Sequence, residues 1–143
     1  MVHALFTVDH SDGIRKVINL KKSHLQLGRK GERLAADFLQ KKGYQIVERN
    51  YRGYRGEIDI IAQDGNYLVF VEVKTGRSQR FGDPIWRVDR RKQRQLGKVA
   101  LAYFQEKDLQ EQDCRFDVIT VTFTDGTPQI THIENAFWLE DEE

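Results

Sequence analysis

Cysteine is nearly absent. Cys114 is the only one in 143 residues, so no internal disulfide can staple the fold, and a reducing compartment is the expectation. Proline occurs twice and glycine 11 times, too few for collagen-like or low-complexity architecture. No apolar run approaches the roughly 20 residues that cross a bilayer, so no membrane helix is expected. The opening segment, MVHALFTVDHSDG, lacks a basic start and a long apolar stretch and does not read as a secretory signal. The histidines (His3, His10, His24, His132) are scattered without zinc-site spacing. What is present is globular material, 39% hydrophobic and 31% charged. A chain of this length suits one domain and can bury roughly 68–70% of its unfolded surface.

The net charge of +1 is unevenly spread. Glu140, Asp141, Glu142 and Glu143 form an acidic tail. Within residues 86–98, Arg87, Arg90, Arg91, Lys92, Arg94 and Lys98 face a single acid, Asp89. A smaller basic cluster is Arg49, Arg52 and Arg55. On charge alone, these stretches read equally as solvated faces or as a track for phosphates.

Residues 1–22 form an appendage without an assigned role, in which VHALFTV suits a short strand and DHSDG a turn. From Ser23, Leu27, Gly31, Leu34, Ala35, Phe38 and Leu39 recur at helical spacing, and Gly43 is a stop, so a helix is expected over 24–42. Strands follow at 44–51, 56–63 and 67–75, with a basic loop at 52–56 and a tight turn at Asp64-Gly65-Asn66. A helix over 86–106 places Trp86, Leu96, Val99, Ala100 and Tyr103 on one side and its basic residues on the other. Strands at 114–123 and 129–139 close the domain, which spans 23–139 ahead of the 140–143 tail. This order predicts an α/β fold: one mixed sheet with helices against its faces.

The informative feature is charge inside two otherwise apolar strands. Glu57, Asp59, Glu72 and Lys74 sit among isoleucines, valines and Phe70. Burying an unpaired carboxylate is costly, so such groups must be compensated or used. Strict alternation puts Glu57, Asp59 and Ile61 on one face, and Leu68, Phe70, Glu72 and Lys74 on one face of the next strand. In either two-residue turn register, Asp59 shares a face with Glu72 and Lys74. With the turn at Gly65-Asn66, Asp59 lies directly opposite Glu72. Two readings are open: a divalent-cation site with a lysine beside it, or an internal salt bridge that orders the sheet.

These residues carry a resemblance. GEIDII followed by VFVEVK resembles the D…E-x-K core of the restriction-endonuclease-like nuclease superfamily. Gly28 to Ala35 (G-x-x-G-E-x-x-A), Gly43-Tyr44, Arg49 to Tyr51, Phe81-Gly82, Lys92-Gln93 and Arg115 to Val118 (R-F-D-V) are similar to the bacterial YraN family, which is itself similar to archaeal Holliday-junction resolvases. The resemblance covers about residues 24–123. It implies a cytoplasmic protein with a sheet core flanked by helices, and Mg²⁺- or Mn²⁺-dependent hydrolysis of DNA, with branched or nicked forms as candidate substrates. It implies Asp59 and Glu72 as metal ligands, Glu32 completing the site, and Lys74 as the catalytic lysine. A helical wheel gives Glu32 separate support, since it falls at the margin of the apolar stripe, about 20° beyond Leu39. An ordinary boundary glutamate paired with Arg29 or Lys30 would sit there too.

Glu57 is open between a second metal, a pair with Lys74 and a hold on Arg55. Asp117 is expected in a structural pairing with Arg115 or the basic helix. Arg87, Arg90, Arg91, Lys92, Gln93, Arg94 and Lys98, with Arg52 and Arg55, are the expected nucleic-acid contacts. Gly28 and Gly31 suggest close approach of the first helix to the sheet or to a phosphate. Resolvase relatives work as dimers, which makes a homodimer an expectation of the resemblance, although the chain shows no decisive dimer seam. The competing classes are a non-catalytic binding module of this fold and an adaptor with a structural ion-pair cluster.

Overall fold

The hairpin of apolar strands organises the sheet. In the computed structural model, which describes residues 10–77 and 88–139, the order is α1 (His10–Lys41), β1 (Gln45–Gly53), β2 (Gly56–Asp64), β3 (Tyr67–Gly76), α2 (Arg90–Glu106), β4 (Cys114–Thr124) and β5 (Thr127–Phe137). These strands form one sheet in the order β1-β2-β3-β4-β5. Three neighbouring pairs are antiparallel, and β3–β4, bridged by the α2 crossover, is parallel. The architecture is a single α/β unit with a mixed sheet, consistent with a restriction-endonuclease-like fold. Among the described residues, no helix is long and apolar enough to cross a membrane.

Both faces of the sheet are covered, as the continuous apolar strands require. Ala35, Ala36 and Leu39 of α1 pack with Ile60, Ala62, Val69, Val71, Ile119 and Val121. Leu96, Val99, Ala100 and Tyr103 of α2 pack with Tyr51, Ile58, Ile61, Leu68, Phe70 and Phe116. Tyr103 is therefore core, with its ring edge-on to both Tyr51 and Phe70. Burial of this kind is worth about 1.5–3 kcal/mol per large apolar side chain.

Three expectations change. The first helix begins at His10, so His10 to Gly13 are helical where a turn was expected. Residue-type turn signals yield here to a helix propagated from its packed C-terminal half. The basic loop at 52–56 is a two-residue turn, with Tyr54 and Arg55 both left-handed (φ 45° and 59°). That handedness matches the twist of a tight hairpin.

The third change is in side-chain alternation. The β1–β2 register runs Arg49↔Ile60, then Tyr51↔Ile58, and skips Asn50 opposite Asp59. Asn50 is left-handed, with φ 54°. Ile58 belongs to the α2 core and Ile60 to the α1 core, so the alternation slips between them. Glu57, Asp59 and Ile61 consequently do not share one face. Asp59 groups with Glu32 of α1, whereas Ile61 faces Phe70 under α2.

The VHALFTV segment, Phe81-Gly82, Trp86, Arg87 and the acidic tail lie outside the described residues.

Candidate active site

The β2–β3 ladder carries the register with the turn at Gly65-Asn66, and its pairing ends at Ile60↔Val71. The next residues, Asp59 and Glu72, begin the site. A side chain replaces the backbone ladder there: Val73 N–H donates to Asp59 Oδ2 at 2.8 Å.

Asp59, Glu57 and Glu32 bring one carboxylate oxygen each to within 4.8 Å of one another. These three groups could hold a metal ion, and their all-oxygen donor set suits a hard divalent cation. Glu32 arrives from α1 because the helix sits close to β3 at this level. A Cβ on Gly31 would overlap Thr75 Oγ1, while one on Gly28 would meet open space. Of the two glycines, only Gly31 makes the expected close approach to the sheet.

Asn50 connects the acids. With its amide nitrogen turned toward them, it donates to Glu57 Oε1 at 2.9 Å and Glu32 Oε2 at 3.0 Å. Glu57 also meets Arg52, with Nε to Oε2 at 3.5 Å. Its arginine partner among the described residues is thus Arg52 and not Arg55, and it groups with Glu32 and Asp59.

Glu72 lies toward α2. Its carboxylate is 13% exposed and sits 3.8 Å from Lys92 Nζ. Lys74, two residues along β3, adds a second cation within electrostatic reach of Glu72.

The electrostatics reflect crowded acids. Burial pushes the Asp59 carboxyl well above the usual carboxylate range, and the Glu72 charge pushes it further, against the Val73 hydrogen bond. Burial also raises Glu72, opposed by Lys92 and Lys74. Glu32 is raised by burial and by Glu57, opposed by Arg49 and Arg29. Such a cluster favours whatever neutralises it, a proton or a cation.

Beside the acids lies a groove of about 900 Å³ between the β1–β2 turn and the first half of α2. Arg55, Arg91, Lys92, Arg94 and Lys98 line it, with Asp89 the one acid among its lining residues. Asp89 is already engaged as the α2 N-cap, accepting from Lys92 N–H at 2.8 Å. Gln93 Nε2 donates to Val88 O at 2.8 Å. Arg90 is exposed at the α2 start, and Arg52 is exposed on β1.

The Asp117 pairing is with Arg115, not with α2. Arg115 Nε donates to Asp117 Oδ1 at 3.0 Å. Asn135 N–H donates to the same oxygen at 3.0 Å, and His132 Nε2 lies 2.7 Å from Oδ2. Lys42 Nζ reaches His132 Nδ1 at 2.9 Å. An ammonium can only donate, so Nδ1 accepts and the Nε2 proton points at Asp117. Burial alone would raise Asp117, but these hydrogen bonds hold its carboxyl below the usual range. His132 carries no signal of this pairing in the sequence, because only the β4–β5 register brings it to Asp117. The same holds for Asn50, whose one sequence signal was its place in the R-N-Y run.

Comparison with known proteins agrees with the motifs. A family model described as uncharacterised protein family UPF0102 matches residues 31–121. A UPF0102 protein of Geobacter metallireducens is 50% identical over 113 residues, covering 79% of this chain and 93% of that protein. One from Trichlorobacter lovleyi is 49% identical over 120 residues, covering 82% and 94%. Another, from Chlorobium chlorochromatii, is 47% identical over 134 residues, covering 86% and 99%. On the family model and on these relatives alike, the chain belongs to the uncharacterised family UPF0102, the YraN family of the sequence motifs.

Proposed function

We propose that this protein is a metal-dependent endonuclease that hydrolyses phosphodiester bonds in DNA. The observation that carries the reading is the convergence of Glu32, Glu57 and Asp59 at the opened end of the β2–β3 hairpin, beside a cationic groove. Acids with raised proton affinity serve the fold poorly and a hard cation well. Glu32, Glu57 and Asp59 would hold Mg²⁺ or Mn²⁺, with Glu72 bordering them. The ion supplies charge stabilisation on phosphate oxygens and a more acidic water.

The remaining roles belong to the chain. Val73 N–H fixes one oxygen of Asp59 and so limits its rotation. Asn50 bridges Glu32 and Glu57 and offsets part of their mutual repulsion by donating to both. Lys74, two residues from Glu72 on β3, would orient a water or balance developing negative charge. Lys92 links the groove to the acids through Glu72. Arg55, Arg91, Arg94 and Lys98 bind backbone phosphates and carry no base readout.

One observation favours a second reading. Arg52 on Glu57 and Lys92 on Glu72 are ion pairs that a purely structural cluster would also form. A cleavage panel of branched, flapped, nicked and linear DNA, with and without Mn²⁺, decides. Metal-dependent cleavage that Asp59→Asn abolishes supports the nuclease. DNA binding without cleavage in any metal supports a binding module. Neither binding nor a metal response leaves the structural cluster.

A further inference from the structure

We infer that Tyr54 stacks an unpaired base of the bound strand, so that the groove beside the acids takes single-stranded or flapped DNA rather than intact duplex. The inference rests on the DNA reading above and specifies its substrate.

Tyr54 stands at the tip of the β1–β2 turn and is 63% exposed. An exposed aromatic on a mobile loop would signify little, but this turn is fastened. Gln95 Nε2 donates to Arg55 O at 3.2 Å. Gly56 lies so close to α2 that a Cβ there would come within 2.7 Å of Val99 Cγ2. Tyr54 and Arg55 both have left-handed φ values, which non-glycine residues keep only where the surroundings hold them, as the Gln95 bond and the Gly56 contact do here. Lys98 Nζ sits over the Tyr54 ring, 5.6 Å from its centroid. The ring is thus braced by a cation on one side while most of its surface remains open.

Its surroundings fit a strand. Tyr54, Arg55, Arg91, Lys92, Arg94 and Lys98 line the same groove. Two residues, Arg55 and Gly56, separate Tyr54 from Glu57, at most about 10 Å of chain. Lys92, in the same groove, sits 3.8 Å from Glu72, so a strand lying along the cations meets both the ring and the border of the acidic site. Bases inside a duplex already stack on each other, so an aromatic platform is useful only to an unpaired or terminal base.

The test is fluorescence anisotropy with three probes of equal length: a single strand, a flapped duplex and a blunt duplex. Measurements run in chelator and again in Ca²⁺. Tyr54→Ala should bind the single strand and the flap about 5- to 150-fold more weakly, the range for losing one stacked base. Tyr54→Phe should stay within about twofold of wild type, and all three proteins should bind blunt duplex alike. Arg91→Ala should weaken every probe, because it removes a phosphate contact. If Tyr54→Ala melts early, Tyr54→Leu replaces it, keeping apolar bulk without a ring. An equal loss on blunt duplex, no loss at all, or a Phe variant as weak as Ala overturns the stacking role. If Arg91→Ala weakens binding while Tyr54→Ala does not, the DNA reading stands and this inference falls. A wild type that binds none of the probes overturns the DNA reading itself.

Discussion

Replacing Asp59 with asparagine should make the metal-free protein more stable while removing its response to metal. The carboxylate oxygens of Glu32, Glu57 and Asp59 lie within 4.8 Å of one another. Two unit charges at that distance repel by roughly 3.5 kcal/mol at an effective dielectric near 20. A proton held among the acids already relieves part of this, so asparagine should recover about 1–3 kcal/mol, or roughly 3–10 °C in melting temperature. The substitution is mild, because the asparagine carbonyl can still accept from Val73 N–H. The pH dependence follows from the raised proton affinities of Asp59, Glu72 and Glu32. Between the unfolded carboxylate range near pH 4 and their higher folded values, the native state binds more protons than the unfolded chain. Stability in chelator therefore falls as pH rises through this window. Asp59→Asn should flatten part of that fall. Wild type with Mn²⁺ at about 100 times its dissociation constant should gain about 2.7 kcal/mol, and the variant much less. Melts in chelator and in Mn²⁺ from pH 5 to 9 provide the measurement. An asparagine variant that melts below wild type in chelator, with its Mn²⁺ increment intact, refutes the repulsion argument.

Other expectations are shorter. Lys74→Ala and Lys74→Met should bind DNA within a few-fold of wild type yet cleave about 10²–10³ more slowly, since a preorganised donor acts mainly in the transition state; folded variants cleaving at the wild-type rate would remove Lys74 from the chemistry. Gly31→Ala should push α1 off Thr75, destabilise the fold by about 1–3 kcal/mol and weaken Mn²⁺ binding by shifting Glu32, as read by melts and metal titration. Asp117→Ala should cost about 1–3 kcal/mol by removing the shared acceptor of Arg115, His132 and Asn135 N–H, while Arg115 keeps Asp64 and Tyr44, with no direct effect on Mn²⁺ affinity in the folded fraction. Reversing Arg91 and Arg94 to glutamate should lower both DNA affinity and its salt dependence, each lost contact flattening the log–log slope by about 0.9 on duplex or 0.7 on single strand.

The hairpin was legible because its apolar composition and turn residues fix a short-range register. The observed pairing of Asp64 with Tyr67 follows from the turn at Gly65-Asn66. The basic face of α2 and the placement of Glu32 were legible from helical periodicity. The slip at Asn50 and Asp59 was not, because a single left-handed residue leaves no mark in an apolar pattern. Strict alternation therefore put Asp59 on the face of Ile61. The partnership of Glu57 with Asn50, and of His132 with Asp117, depends on contacts from distant parts of the chain. The early start of α1 was hidden by Ser11, Asp12 and Gly13, residue types that favour turns when nothing else holds them.

The hydrogen bond from Val73 to Asp59 gives the protein a spectroscopic reporter of its own. Most amide protons in a sheet point at a carbonyl whose charge never changes. The Val73 proton points at a carboxylate that can take up a proton or a cation, and in the asparagine variant at an amide oxygen. Its chemical shift and exchange rate should follow the state of the site, while the neighbouring amides of Val69 and Val71, inside the regular ladder, stay still. One backbone resonance would then separate the binding of an ion from the binding of a strand, with no label placed in either.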